Sequence, residues 1–389
     1  MTKLEELIQE LCPEGVEYKE ISEVTNYEQP SKYIVKSTAY HDEYEIPVLT
    51  AGQSFVLGYT DESDGVYPAS KATPVIIFDD FTAAFKWVVF PFKVKSSAMK
   101  IITAKEDSLL IRFLFHWMGV LNYSSTEHTR LWIGTYSKFR IPVPPLPVQR
   151  VIVRILDNFT ELTAELTAEL TARKKQYAYY RDKLLTHSSE TKICKLADVC
   201  ESIADGDHMP PPKADDGIPF ITISNITEQN KINFSNTMFV PSSYYDALAD
   251  KRKPHSGDIL YTVVGSYGIP VCIEQDTKFV FQRHIAILRP RSEIIKARYM
   301  FHAMQSGAFK AQADKAAKGA AQKTIGLSSL AEMTLPVPDM CIQERLIRVL
   351  DNFDAICTDL SSGLPAEIEA RQKQYEYYRD KLLTFTPAD

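Results

Sequence analysis

Cleaving a phosphodiester calls for carboxylates clustered near a lysine, where they hold a divalent metal and activate water. Asp258 with Asp276-Thr277-Lys278 has a loose form of that spacing, although Asp and Lys also meet around turns by chance. No GxxxxGK[ST] or GxGxxG loop occurs, so ATP hydrolysis by this chain is not expected. There is also no Asn-Pro-Pro-aromatic or Asp-Pro-Pro-aromatic tetrapeptide of the kind amino-methyltransferases use to hold a target amine. His128, His208 and His284 have no partner at a fixed spacing. Cys12, Cys194, Cys200, Cys272, Cys341 and Cys357 form no CxxC pair, which fits reduced thiols better than zinc or disulfides. No metal site is expected. Gly265-Ser-Tyr-Gly268 reads as a turn between strands.

Basic and polar residues mixed with aromatics are plentiful, and they suit contact with nucleic acid. Toward the N-terminus these are Lys86, Lys93, Lys95, Ser96, Ser97 and Lys100, joined by His128-Thr-Arg130-Leu-Trp132. Further on come Lys251-Arg252-Lys253, Arg283 within Gln-Arg-His, and Lys315, Lys318, Gln322 and Lys323. The run from 310 to 324 holds no apolar residue larger than Ala, as an exposed segment touching a phosphate backbone would. Arg and Lys match guanine edges, and Asn and Gln match adenine.

The elements that must position these residues come from an internal repeat. IPVPPLPVQRVIVRILDNF at 141–159 returns as LPVPDMCIQERLIRVLDNF at 335–353, and RKKQYAYYRDKLL at 173–185 returns as RQKQYEYYRDKLL at 371–383. Fainter echoes pair Arg112 and His116 with Arg298 and His302, and Ile46-Pro47 with Ile218-Pro219. Through the strong matches and the residues that join them, apolar residues recur mostly every three or four positions: Ile152, Ile155, Phe159, Leu162, Leu166, Leu170, Tyr177 and Tyr180, then Phe353, Ile356, Leu360, Leu364, Tyr375 and Tyr378. That period predicts two long helices of about 55–65 Å, each starting after a Pro-rich stop. Stripes this long are expected to bury each other as an antiparallel coiled coil, with a break or kink in the second helix at Ser361-Ser-Gly-Leu-Pro365. The regions between are strand-rich, with short runs such as Val75–Phe78 and Asp258–Tyr261 and a helix near 108–120 and 293–306. The expected architecture is α+β: two strand-rich domains separated by two helices, in a pseudo-two-fold repeat. Its segments are 1–140, 141–190, 191–334 and 335–389.

The chain has 389 residues, which is ample for two domains, and its 45% hydrophobic content is enough for real cores. No apolar run approaches the roughly 18 residues of a membrane span, and the acidic start Lys3-Leu4-Glu5-Glu6 is unlike a secretory signal. A cytoplasmic location is expected. Net charge is −6, which by itself argues against a nucleic-acid partner. The acid is unevenly spread, however, with 14 Lys+Arg against 19 Asp+Glu over 1–140 and 6 against 10 over 335–389, while 191–334 holds 17 against 15.

This order of variable region, Pro-rich stop with Gln, and helix with Thr-Ala-Glu-Leu repeats at 163–166 and 167–170, all written twice, resembles a specificity subunit of a type I DNA restriction-modification system. The resemblance covers essentially the whole chain. It implies two target recognition domains reading a split sequence in double-stranded DNA, and helical spacers on which two methyltransferase subunits dock and which motor-nuclease subunits join. Spacer and partner-binding roles fall to Phe159, Leu162, Leu166, Leu170, Tyr177, Tyr180, Phe353, Leu360, Tyr375 and Tyr378. S-adenosylmethionine, ATP and Mg would then belong to the partners, with no cofactor and no catalysis in this chain. Such a subunit is expected to bind DNA weakly alone and tightly in its complex. A stand-alone sequence-specific nuclease and a protein-only coiled-coil adaptor are the rival readings.

Overall fold

A computed structural model describes residues 3–50, 54–105, 107–123, 129–186, 191–206, 211–320 and 322–388. The chain forms two compact units, Met1–Glu165 with Glu369–Asp389, and Leu166–Ile368. Compactness therefore groups the chain differently from the four successive segments expected. Each unit takes one strand-rich region and part of both helical segments.

In the first unit a four-stranded antiparallel sheet runs in the order Thr25–Glu28, Met99–Ala104, Val75–Asp79, Phe85–Val88. A three-stranded sheet follows the order Val56–Thr60, Ile46–Leu49, Lys93–Val94. Val75–Asp79 is a β-branched and aromatic run buried along its whole length, as a central strand must be. Its Ile76 and Phe78 pack with Phe113, Leu114 and Met118 of the helix Ile111–Leu121, and with Val148, Ile152 and Leu156 at the start of the long helix Leu146–Leu185. The N-terminal helix Lys3–Leu11 joins the same core through Leu4, together with Leu383. Behind it the Val16 amide donates to the Thr386 carbonyl at 2.9 Å, and the Ala388 amide donates back at 3.0 Å. The N-terminal helix and the last turns of the chain thus share one core. Gly15, at φ +99°, is required there, since a Cβ would lie 2.6 Å from the Pro387 oxygen.

The second unit repeats this plan. Its four-stranded sheet is Cys200–Asp205, Ile285–Pro290, Ile259–Thr262, Pro270–Cys272, and its three-stranded sheet is Met238–Val240, Ile218–Ile221, Val280–Phe281. The helix Ala297–Met304 packs Tyr299, Met300 and Ala303 against Ile259, Tyr261 and Leu288, with Leu350, Cys357 and Tyr177 from the helical segments closing the core. Gly265 and Gly268, both at positive φ, form the predicted turn, closed by the Gly268 amide on the Thr262 carbonyl at 2.9 Å.

The first spacer is one continuous helix, but the second is two, Met340–Thr358 and Leu364–Leu382. The break opens at Asp359 and takes in most of the Ser361–Pro365 stretch where it is expected. Asp359 ends the first helix by accepting hydrogen bonds from the Ser361 amide and the Ser361 and Ser362 hydroxyls. Pro365 sits in the first turn of the next helix, where its missing N–H costs nothing. Leu360, expected on a helical stripe, lies in this break and is exposed. In the second unit Tyr177 and Tyr180 stack on Phe353 at 6.3 and 5.9 Å, and Cys357 lies near Lys174 and Arg173. One number rises as the other falls, so these helices run antiparallel. In the first unit Phe159 stacks on Tyr378 at 5.3 Å.

Candidate nucleic-acid interface and the joints behind it

Each four-stranded sheet ends in three converging loops. In the second unit the Val263 amide donates to the His284 carbonyl (2.9 Å), the Gly265 amide to Lys323 (3.0 Å) and the Ile325 amide to Val263 (2.8 Å). The Lys318 and Thr324 backbones bond to each other in both directions. These bonds gather Arg283, Lys318, Gln322 and Lys323 at one end of the sheet, all exposed or half-buried. In the first unit the Asp80 amide donates to the Ala98 carbonyl (3.0 Å) and the Leu131 amide to Asp80 (2.8 Å). That is an equivalent gathering, and it brings Lys95, Ser96 and Ser97 toward Arg130.

Which cations are spent and which are free decides their availability to DNA. Arg130, Arg283, Lys318 and Lys323 have no ion-pair partner among the described residues. Lys95 is exposed, its ammonium 5.9 Å from the Tyr40 ring. Lys93 and Lys100 are corrections to the sequence reading. Each is 1% exposed, the first paired with Glu62 and the second with Asp80 at 2.9 Å, so both are internal struts. Trp132 is likewise internal, 1% exposed against Phe78 and Tyr136, because an indole gains more from that aromatic core than from solvent. Arg252 lies 3.7 Å from Asp205, and Lys253 donates to the Asp246 carbonyl at 3.0 Å. Lys86 is exposed on the edge strand Phe85–Val88, and Lys251 and Lys315 are exposed as well. His128 and His208 lie outside the described residues. The Asp258 carboxylate of the candidate nuclease cluster is occupied by Arg289, at 3.1 Å through each oxygen, and by the His255 amide.

Two buried joints tie each sheet and its helix to the spacers. Gln149 is 0% exposed, accepts from the Leu110 amide at 2.8 Å, and donates to the carbonyls of Ser108 (2.8 Å) and Pro144 (2.7 Å). Gln343 repeats this with Lys296, Ile294 and Pro338 at 2.9, 3.0 and 2.9 Å. One turn or two further on, the His116 ring lies 2.9 Å from both the Asp157 carboxylate and the Tyr375 hydroxyl, and Arg112 donates to the same carboxylate at 2.6 Å. His302 repeats this with Asp351 at 2.7 Å and Tyr177 at 2.8 Å, braced by Arg298. Burial and the neighbouring arginine hold both imidazoles below their ordinary pKa despite the carboxylate. Asp157 and Asp351 are pushed up by burial, but hydrogen bonds from the histidine and arginine outweigh it, leaving both below the usual carboxylate range. The consistent state is a neutral ring whose Nε2–H donates to the carboxylate while Nδ1 accepts from tyrosine.

The arginine–histidine spacing and the repeated Gln were visible in the sequence, but their joint-forming role was not assigned. A polar residue kept at the same place in both copies of an apolar helix was the available signal.

These joints predict a pH dependence. A depressed folded-state pKa means the unfolded chain binds more protons, so stability falls as pH drops below about 6.5, the ordinary imidazole value, by at most about 1.4 kcal/mol per pH unit per joint. Urea midpoints measured from pH 8 to 5 are expected to decline with pH, and a flat profile would contradict the neutral-ring assignment.

Two α+β units with equivalent cationic loops and equivalent buried joints define a duplicated, two-headed binding scaffold. The chain belongs to the family of type I restriction modification DNA specificity domains, which matches residues 13–173 and 188–370. The specificity subunit of the type I restriction enzymes EcoR124I/EcoR124II of Escherichia coli is 40% identical to it, over 95% of this chain and 94% of that one. The crystal structure of an S subunit from M. genitalium matches with a TM-score of 0.57 at 13% identity, covering 95% of this chain and 96% of that one. A chain solved in a study of complex assembly and conformational transition of the type I R-M system gives 0.56 at 16%, covering 95% and 97%. At such identities these two show the shared fold. Among the described residues no helix is long and apolar enough to cross a membrane.

Proposed function

We propose that this chain reads a split DNA sequence for a type I restriction-modification complex, one half-sequence per unit, and performs no chemistry itself. The observation that carries this is the equivalent loop set at the end of each four-stranded sheet, presenting twice cations with no ion-pair partner among the described residues. Two methyltransferase subunits, joined by motor-nuclease subunits, supply the reaction, and S-adenosylmethionine, ATP and Mg belong to them, in the cytoplasm. A repeated exposed surface supports a partner bound twice. Tyr179 and Tyr377, 198 positions apart, are each 61% exposed, and each meets the next tyrosine edge-on at 5.3 Å. Tyr177, on the stripe expected to bury against the other spacer, stacks on Phe353 and bonds His302 inside its unit.

The test is methylation of a duplex panel by the chain assembled with its methyltransferase. One added Thr-Ala-Glu-Leu unit lengthens the continuous helix by about 6 Å and turns the residues beyond it by roughly 40°. The expected result is an unchanged pair of half-sequences at a longer separation. Original separation only would sink the ruler role, and divalent-metal cleavage of DNA by the purified chain would sink the non-catalytic reading.

A further inference from the structure

We propose that the His116 and His302 joints set the separation at which the two half-sequences are accepted, an inference that rests on the reading of this chain as a two-headed DNA reader. In the first unit the joint bonds one recognition-domain helix to both helical segments at once. Asp157 comes from the long helix and Tyr375 from the C-terminal one. In the second unit the sources are exchanged: Asp351 comes from the second spacer and Tyr177 from the first. Each ring nitrogen is used once, and each carboxylate is braced by an arginine, so the junction has one hydrogen-bonded arrangement.

The geometry makes this joint more than packing. The helix Ile111–Leu121 is pinned at its start, where Gln149 accepts from the Leu110 amide, and again at His116. Ala297–Met304 is pinned likewise by Gln343 at Lys296 and by His302. The two pins lie six residues apart, about 9 Å along the helix. Two fixed points set a rigid helix's direction; one fixed point is a pivot. Losing the second pin lets the recognition domain swing about the Gln latch, carrying its DNA-facing loops along the duplex, while the loops keep their own structure.

His116→Phe and His302→Phe test this, since each removes both ring-nitrogen hydrogen bonds of its joint and keeps an aromatic ring. Each full-length variant is assembled with the methyltransferase partner and assayed on duplexes whose half-sequences are separated by the native spacing and by one and two base pairs more or less. Wild type is expected to prefer the native spacing by about tenfold or more, and either variant by about threefold or less, a loss on the scale of buried hydrogen bonds. A base change in either half-sequence is expected to cost the variants as much as wild type. An unchanged spacing preference, or equal loss at every spacing, overturns the proposal, the latter marking a purely structural role. A wild-type complex indifferent to any split sequence would instead overturn the underlying reading. Melting temperature is checked first, and where a phenylalanine variant does not fold, Asp157→Asn or Asp351→Asn answers the same question.

Discussion

Replacing Gln149 with alanine is expected to destabilise the first unit by about 3–5 kcal/mol, because three buried backbone groups lose their only shared partner and a cavity opens. The Leu110 amide and the Ser108 and Pro144 carbonyls all turn to this one side chain. Against a total stability of about 5–15 kcal/mol, that is enough to leave the unit marginal. Gln149→Met keeps most of the volume and removes only the polar atoms, so it separates the hydrogen-bond loss from the cavity. Denaturant titration of both variants checks the prediction, and a methionine variant as stable as wild type would refute it. Gln343, with the equivalent three partners in the second unit, is expected to behave alike.

The second large effect concerns DNA. Removing Arg283, Lys318 and Lys323 together, as alanines, is expected to weaken specific binding by the complex about 10²–10³-fold and to flatten its salt dependence by up to about three units of log–log slope. These side chains have no ion-pair partner among the described residues, so the fold loses little. Lys93→Met and Lys100→Met form the contrasting arm. They strand the Glu62 and Asp80 carboxylates, the second of them fully buried, and are expected to cost about 3–5 kcal/mol of stability with no direct change in salt slope. Binding titrations across roughly 50 to 200 mM salt, alongside melting curves, distinguish the two groups. An unchanged slope in the triple variant would remove these residues from the interface.

Legibility tracked the reach of each physical signal. The long helices declared themselves through a 3.6-residue period sustained over tens of residues, and the duplication through matched motifs such as LDNF and YYRDKLL. The short apolar runs at 75–78 and 258–261 marked central strands of the two larger sheets. Burial of charge was not legible, since Lys93 looks like any surface lysine until the fold brings Glu62 to it from 31 positions away. Trp132 was misplaced for a related reason: beside Arg130 it resembles a stacking platform, and only the distant Phe78, with Tyr136, shows it to be core. Arg283, Lys318, Gln322 and Lys323 were singled out separately by residue type. Their convergence depended on backbone bonds between segments far apart in the chain, such as Gly265 to Lys323, which no local pattern encodes. The break in the second spacer was legible at Ser361–Pro365, whereas its start at Asp359, an Asp accepting from two serines, carried no comparable signal.

The pairing of Val16 with Thr386 and Ala388 bears on how the protein is made. The second unit is contiguous from Leu166 to Ile368, so all of it has left the ribosome before the first unit has its Tyr375, its Leu383 or the Thr386 that Val16 bonds. The unit synthesised first is therefore completed last. Its closure joins Val16 to Thr386 across nearly the whole chain, a large loop-closure cost met after its neighbour already has every residue it needs. Until the residues from Glu369 onward emerge, the N-terminal core waits without Leu383 and Tyr375, which pack into it.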